Sequence, residues 1–181
     1  MPSKNKQLKY IVHLESVKQQ FMKEITLQIK FTEYEDISQL PEKDNDLIMK
    51  AREAARNAYA PYSGFRVGAA VLLENGVIVT GNNQENAAYP SGLCAERTAL
   101  FYASSQYPKI PVVSIAISTI NLTATPSELA KPCGACRQVM AEYEDVACKP
   151  MQIILDSANK ILVLSGIDSL LPLRFKKLDV K

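Results

Sequence analysis

The chain has 181 residues, 47% of them hydrophobic and 22% charged, with a formal net charge of +2. A chain of that length can bury a core without disulfide or metal staples, and its composition is that of an ordinary globular protein. No Lys/Arg run exceeds two residues, and no apolar run approaches the roughly 18 residues of a membrane span; both argue against a polynucleotide or a bilayer as partner.

In chain order, residues 1–21 are polar and irregular and read as an N-terminal extension, ahead of a main domain over 22–181. Their start lacks the apolar core of a signal peptide, so the expected location is the cytoplasm. Ile25, Leu27, Ile29 and Phe31 alternate with polar residues, which predicts an extra N-terminal strand. Leu47, Ile48, Ala51, Ala54, Ala55 and Ala58 recur at helical spacing, with Asp44 or Asn45 as the expected N-cap and Pro61-Tyr62-Ser63-Gly64 as the stop. A strand over 65–73 leads through Asn75-Gly76, a hairpin signal, into a strand over 77–80. A helix is expected from Cys94 through 95–103, then a buried strand over 112–118. A second helix opens at Pro132-Cys133, with Pro in its first turn. Short strands over 151–155 and 161–164 flank a Ser157-Ala158-Asn159 turn, and a short helix over 167–171 breaks at Pro172. Helices interleaved with apolar strands imply an α/β fold, a mixed sheet with helices on both faces.

Four cysteines (Cys94, Cys133, Cys136 and Cys148) and one distant histidine, His13, make any transition-metal site thiolate-rich. Cys94-Ala95-Glu96 and Pro132-Cys133-Gly134-Ala135-Cys136 each sit at a predicted helix start. Free N–H groups and the positive dipole end there favour thiolate. Three thiolates can hold Zn²⁺ and leave one tetrahedral position for water. Glu96, two residues after a ligand, can carry protons at the open face without binding the metal. Gly134 is expected to keep the turn between Cys133 and Cys136 uncluttered. Three thiolates on Zn²⁺ give a site of net charge −1, and Arg97 and Arg137 are the candidates to offset it by hydrogen bonds to sulfur.

At these residues the chain resembles the homotetrameric, three-cysteine class of cytidine deaminases. The resemblance runs from about Ile25 to Phe175. It includes residues 58–70, Glu85-Asn86-Ala87-Ala88-Tyr89, Cys94-Ala95-Glu96-Arg97-Thr98-Ala99, residues 132–139 and Leu170-Leu171-Pro172 followed by Phe175. It implies a three-layer α-β-α fold with about five sheet strands besides the N-terminal one. It implies one Zn²⁺ per subunit on Cys94, Cys133 and Cys136, with Glu96 as the catalytic acid–base. Zinc acidifies its water for attack on C4 of cytosine; Glu96 accepts the water proton, passes it to N3, and then helps protonate the departing ammonia. Phe65 matches an aromatic near the pyrimidine, and Asn83 and Glu85 match residues that hydrogen-bond the ribose. Ala95 matches a residue whose backbone lies beside the base, and Phe175 one that closes a neighbouring subunit's site. The expected partner is a nucleoside, in a homotetramer with sites at subunit interfaces, serving pyrimidine salvage. Gln84 departs from the apolar residue of many relatives.

Plainer readings stand beside these. Cys148 could complete a structural four-cysteine site, Phe65 could be core, Asn83 and Glu85 could be loop residues, and Phe175 could cover a sheet edge. Another aminopyrimidine as substrate, or a zinc-binding interaction module without catalysis, are the competing functions.

Overall fold

The protein is described here by a computed structural model covering residues 22–121 and 129–176; the expected extension over 1–21 lies outside them. Its strands are β1 (Thr32–Tyr34), β2 (Phe65–Leu73), β3 (Ile78–Asn82), β4 (Val112–Asn121), β5 (Gln152–Asp156) and β6 (Ile161–Ser165). Its helices are α1 (Glu42–Arg56), α2 (Ala95–Gln106) and α3 (Gly134–Ala147). Single 3-10 turns lie at Ile37–Gln39, Tyr89–Ser91 and Ile167–Ser169.

The period of two along each strand divides the core into two layers. Ala69, Val71, Ile115, Ile117, Ile153 and Leu155 point to one face, where Ala99, Leu100 and Ala103 of α2 and Met140 and Ala141 of α3 cover them. Ala70, Ala116 and Ile154 point to the other, under Leu47, Ile48 and Ala51 of α1. The six strands form one mixed sheet in the order β1-β6-β5-β4-β2-β3, in which only β4 and β5 pair in parallel. This is the expected three-layer α/β architecture, with β1 as the extra strand at the edge. Glycine lets two helices approach the sheet closely. A Cβ on Gly68 would lie 2.0 Å from the Ala51 carbonyl oxygen of α1, and one on Gly81 would lie 2.5 Å from the Ala99 nitrogen of α2.

The strand order also explains how two distant motifs meet. Both β3 and β4 run antiparallel to β2, so they are parallel to each other. The helices that follow them, α2 and α3, therefore start at the same end of the sheet. Those starts are the two cysteine motifs.

Four local expectations are revised. The N-terminal strand is Thr32–Tyr34 and not 25–31, whose apolar residues Ile25, Leu27, Ile29 and Phe31 are exposed. Helix α1 begins at Glu42 with Pro41 as its N-cap residue, and Asp44 is instead a buried first-turn acid that accepts from Gln152 Nε2. Pro132 precedes α3, whose N-cap is Cys133. The helix over 167–171 shrinks to the turn Ile167–Ser169. The Asn75-Gly76 hairpin is as expected, with Gly76 at φ 85°. Among the described residues no helix is long and apolar enough to cross a membrane.

Candidate active site

Cys94 is the N-cap residue of α2 and Cys133 that of α3, while Cys136 is buried in the first turn of α3. Their sulfurs all lie within 4.8 Å of one another. Cys94 Sγ and Cys133 Sγ are 3.8 Å apart, and Cys133 Sγ and Cys136 Sγ 3.5 Å. Tetrahedral zinc with Zn–S bonds of about 2.3 Å sets its sulfurs about 3.8 Å apart, so the donor set fits that metal in both chemistry and spacing. Cys148 is not a fourth ligand. It caps the far end of the 14-residue α3 in a left-handed conformation, about 20 Å along the helix from Cys133.

The electrostatics favour thiolate at Cys94. Its pKa is held down at about 5, chiefly by a hydrogen bond from Cys136 and then by Arg97 and Cys133, against the opposing effect of burial. Cys136, which keeps the shared proton and is buried, is pushed up in turn. Arg97 Nη2 lies 3.7 Å from Cys94 Sγ, and the Cys94 and Cys136 sulfurs raise the guanidinium's own pKa. Arg137 behaves differently from expectation. Its Nε donates to the Pro132 carbonyl at 2.8 Å and its Nη1 to the Leu170 carbonyl at 2.7 Å. These donors hold the backbone ahead of the ligand turn and do not reach a sulfur.

Glu96 is 4% exposed, in the first turn of α2. Burial pushes its carboxyl above the usual range and the Cys94 charge adds to this, while Arg97 pulls the other way. A carboxyl so placed exchanges protons more readily near neutrality than an exposed one. Ala95 is fully buried as the first residue of α2, where its N–H has no partner within the helix.

Beside the sulfurs opens a cleft of about 500 Å³, lined among others by Tyr62, Asn83, Glu85, Tyr89, Cys94 and Arg97. Asn83 staples the strand ends that form its wall. Its Oδ1 accepts from the Val67 N–H at 2.8 Å and its Nδ2 donates to the Phe65 carbonyl at 3.0 Å. The amide still has one donor and one lone pair to spare. Glu85 accepts from the Tyr62 N–H at 2.9 Å, from the Ser63 N–H at 3.2 Å and from the Ser63 hydroxyl. That hydroxyl first, and the backbone donors after it, hold the carboxyl below the usual range. Phe65 opens β2 at 37% exposure, and Phe175 is 76% exposed; neither is among the residues lining the cleft of its own chain. A Cβ on Gly134 would meet open space, so the turn between Cys133 and Cys136 does not itself demand glycine.

Sequence reasoning missed Ser63 and the lining residues Tyr62 and Tyr89. The Tyr62-Ser63 turn reads locally as a helix stop, and nothing in its composition reveals that it supplies three donors to Glu85. Tyr62 and Tyr89 meet edge-on with ring centroids 6.4 Å apart.

The fold and this site define a class: a mixed α/β protein with three thiols able to hold a metal ion and a buried carboxyl beside them at paired helix starts. The comparisons with known proteins agree. The family described as "Cytidine and deoxycytidylate deaminase zinc-binding region" matches residues 41–149. A cytidine deaminase of Halalkalibacterium halodurans is 50% identical over 96 residues, spanning 53% of this chain and 68% of the relative. That of Sporosarcina psychrophila is 38% identical over 134 residues, 74% of this chain and 92% of the relative. The crystal structure of cytidine deaminase from Burkholderia pseudomallei superposes with a TM-score of 0.60 at 39% identity, covering 72% of this chain and 97% of that one. The chain belongs to the cytidine and deoxycytidylate deaminase family.

Proposed function

We propose that this protein hydrolyses the 4-amino group of cytidine and deoxycytidine, giving uridine or deoxyuridine and ammonia, in cytoplasmic pyrimidine salvage. The observation that carries the reading is the convergence of Cys94, Cys133 and Cys136, with buried Glu96 interacting with the Cys136 and Cys94 sulfurs, next to an open cleft that Cys94 lines. Cys94, Cys133 and Cys136 would hold one Zn²⁺ per subunit, which supplies a Lewis acid with a position open to water.

Glu96 is the proton carrier. Its carboxylate takes a proton from the attacking water as the C4–O bond forms, and delivers it to N3 of the pyrimidine. The water's other proton, left on the new C4 hydroxyl, is then passed by Glu96 to the exocyclic nitrogen; the C4 carbonyl forms as the C4–N bond breaks and ammonia leaves. Arg97 offsets thiolate charge. Ala95 offers its free N–H beside the base, and Asn83 and Glu85 orient the ribose through their remaining hydrogen-bonding capacity. Phe65 packs near the pyrimidine. Phe175, exposed and not among the residues lining its own chain's cleft, closes that of a neighbouring subunit in a homotetramer.

The cleft also favours a nucleoside over a phosphorylated substrate. Among its lining residues the one cation is Arg97, already engaged with sulfur, and Glu85 contributes a negative charge. Ammonia release from cytidine, deoxycytidine, dCMP and single-stranded DNA, measured side by side on the zinc-loaded enzyme, tests this. Turnover confined to the two nucleosides is the expected result. Preferential turnover of dCMP or of the polynucleotide would displace the reading.

A further inference from the structure

The C-terminal tail, from Leu170 to Lys176, is tied to α3 along its length. Arg137 Nη1 donates to the Leu170 carbonyl at 2.7 Å, and Gln138 Nε2 donates to the Phe175 carbonyl at 3.1 Å. Arg174 reaches back to the helix: Nη1 donates to the Ala141 carbonyl at 3.1 Å, and Nη2 to Asp145 Oδ1 at 2.8 Å. Its guanidinium also lies 3.6 Å from Glu144 Oε2 and 3.1 Å from Asp168 Oδ1. Positions 137, 138, 141, 144 and 145 form one stripe of a helix. The first turn of that same helix carries Cys133 and Cys136.

The tail is also inside out. The Arg174 side chain is 8% exposed, while its apolar neighbours Leu173 and Phe175 are 95% and 76% exposed. Leu173 takes φ 57°, a left-handed conformation that L residues rarely adopt. That reversal lets the cation turn inward and the two apolar side chains turn out. Glu144 is prepared for the cation, since its Oε1 accepts from the Met151 N–H at 2.9 Å and the Ile167 N–H at 2.8 Å. A buried carboxylate fixed by two backbone donors offers its other oxygen in a set place.

We infer that Arg174 is a positioning residue: it clamps the tail to the helix bearing two of the thiols, fixes how Phe175 is presented, and so sets substrate affinity. The inference rests on the proposed role of Phe175 in closing a site. It is tested by steady-state kinetics on cytidine, with zinc content, for Phe175→Ala, Arg174→Met, Arg174→Lys, Gln138→Ala and the double variant Arg174→Met/Phe175→Ala. Arg174→Met is expected to raise KM about tenfold with kcat and zinc nearly unchanged, and to add nothing in the Phe175→Ala background. Arg174→Lys is expected to recover part of that loss. Gln138→Ala removes only the tie to the Phe175 carbonyl, at a half-exposed position, and should raise KM about threefold; it decides the matter if Arg174→Met does not fold. Additive effects, or a loss in kcat and zinc with KM intact, would overturn the inference. If Phe175→Ala raises KM while Arg174→Met and Gln138→Ala do not, the clamp alone fails. If Phe175→Ala itself leaves KM unchanged, the role of Phe175 fails and the clamp falls with it.

Discussion

In the proposed site, Arg97 is assigned the charge balance of the sulfur cluster. It follows Glu96 in the first turn of α2, so its guanidinium folds back over the helix start and meets Cys94 Sγ at 3.7 Å. With Arg137 occupied by two backbone carbonyls, Arg97 is the expected charge partner that reaches a sulfur. Groups that hydrogen-bond metal ligands commonly govern affinity or activity by about 10- to 100-fold. Arg97→Gln is therefore expected to lower zinc retention against a chelator, or turnover, within that range. Full zinc retention at the wild-type rate would remove Arg97 from the account. The roles of Arg97 and Arg137 are alike in the sequence, since each follows a motif residue directly. What separates them is tertiary: the Pro132 and Leu170 carbonyls stand where Arg137 points, and the latter comes from a tail 33 residues away. Arg174 and Glu144 were silent for the same reason. The two meet across 30 residues of sequence, and a lone Arg or Glu carries no local pattern.

At the scale of elements, the site depends on where α2 lies on the sheet. Gly81 of β3 lets that helix approach; a Cβ there would lie 2.5 Å from the Ala99 nitrogen and 3.0 Å from the Ala95 carbonyl oxygen. Both are backbone atoms and cannot rotate aside, so α2, with Cys94 and Glu96 at its start, must move. Gly81→Ala is expected to cost about 1–3 kcal/mol or more of stability and to reduce zinc occupancy. Gly134→Ala is the contrast, with open space around its new methyl group and a helix-favouring residue gained. Denaturant unfolding with zinc measurement checks both; equal zinc loss in the two would contradict the packing argument. The element pattern was largely legible, because alternation and helical spacing reflect burial directly. The N-terminal strand was not. Alternation over 25–31 reads the same whether or not a partner exists, and the partner runs out. Thr32 pairs with Val163, so residues before 30 would have to pair beyond Ser165, where β6 ends and Gly166 turns the chain at φ 82°.

For the molecule as a whole, the two cysteine motifs were legible because thiols at helix starts have few competing uses. Their convergence needed the sheet order, in which β3 and β4 lie parallel on either side of β2. The proposed homotetramer is not legible in periodicity: Tyr62, Tyr89, Phe101, Tyr102 and Phe175 are exposed at 46–79%, and a single chain's pattern does not say whether a partner covers them. The central claim is that Glu96 moves protons for hydrolysis of cytidine at a zinc centre it does not itself hold. The measurement that tests this most directly is ammonia release from cytidine by the wild type and Glu96→Ala, with zinc content determined on both. The account predicts a wild type that turns over cytidine, and a variant that keeps its zinc but falls by at least about 100-fold. A zinc-loaded wild type that leaves cytidine unchanged, or a Glu96→Ala variant that works as well as the wild type, would contradict it.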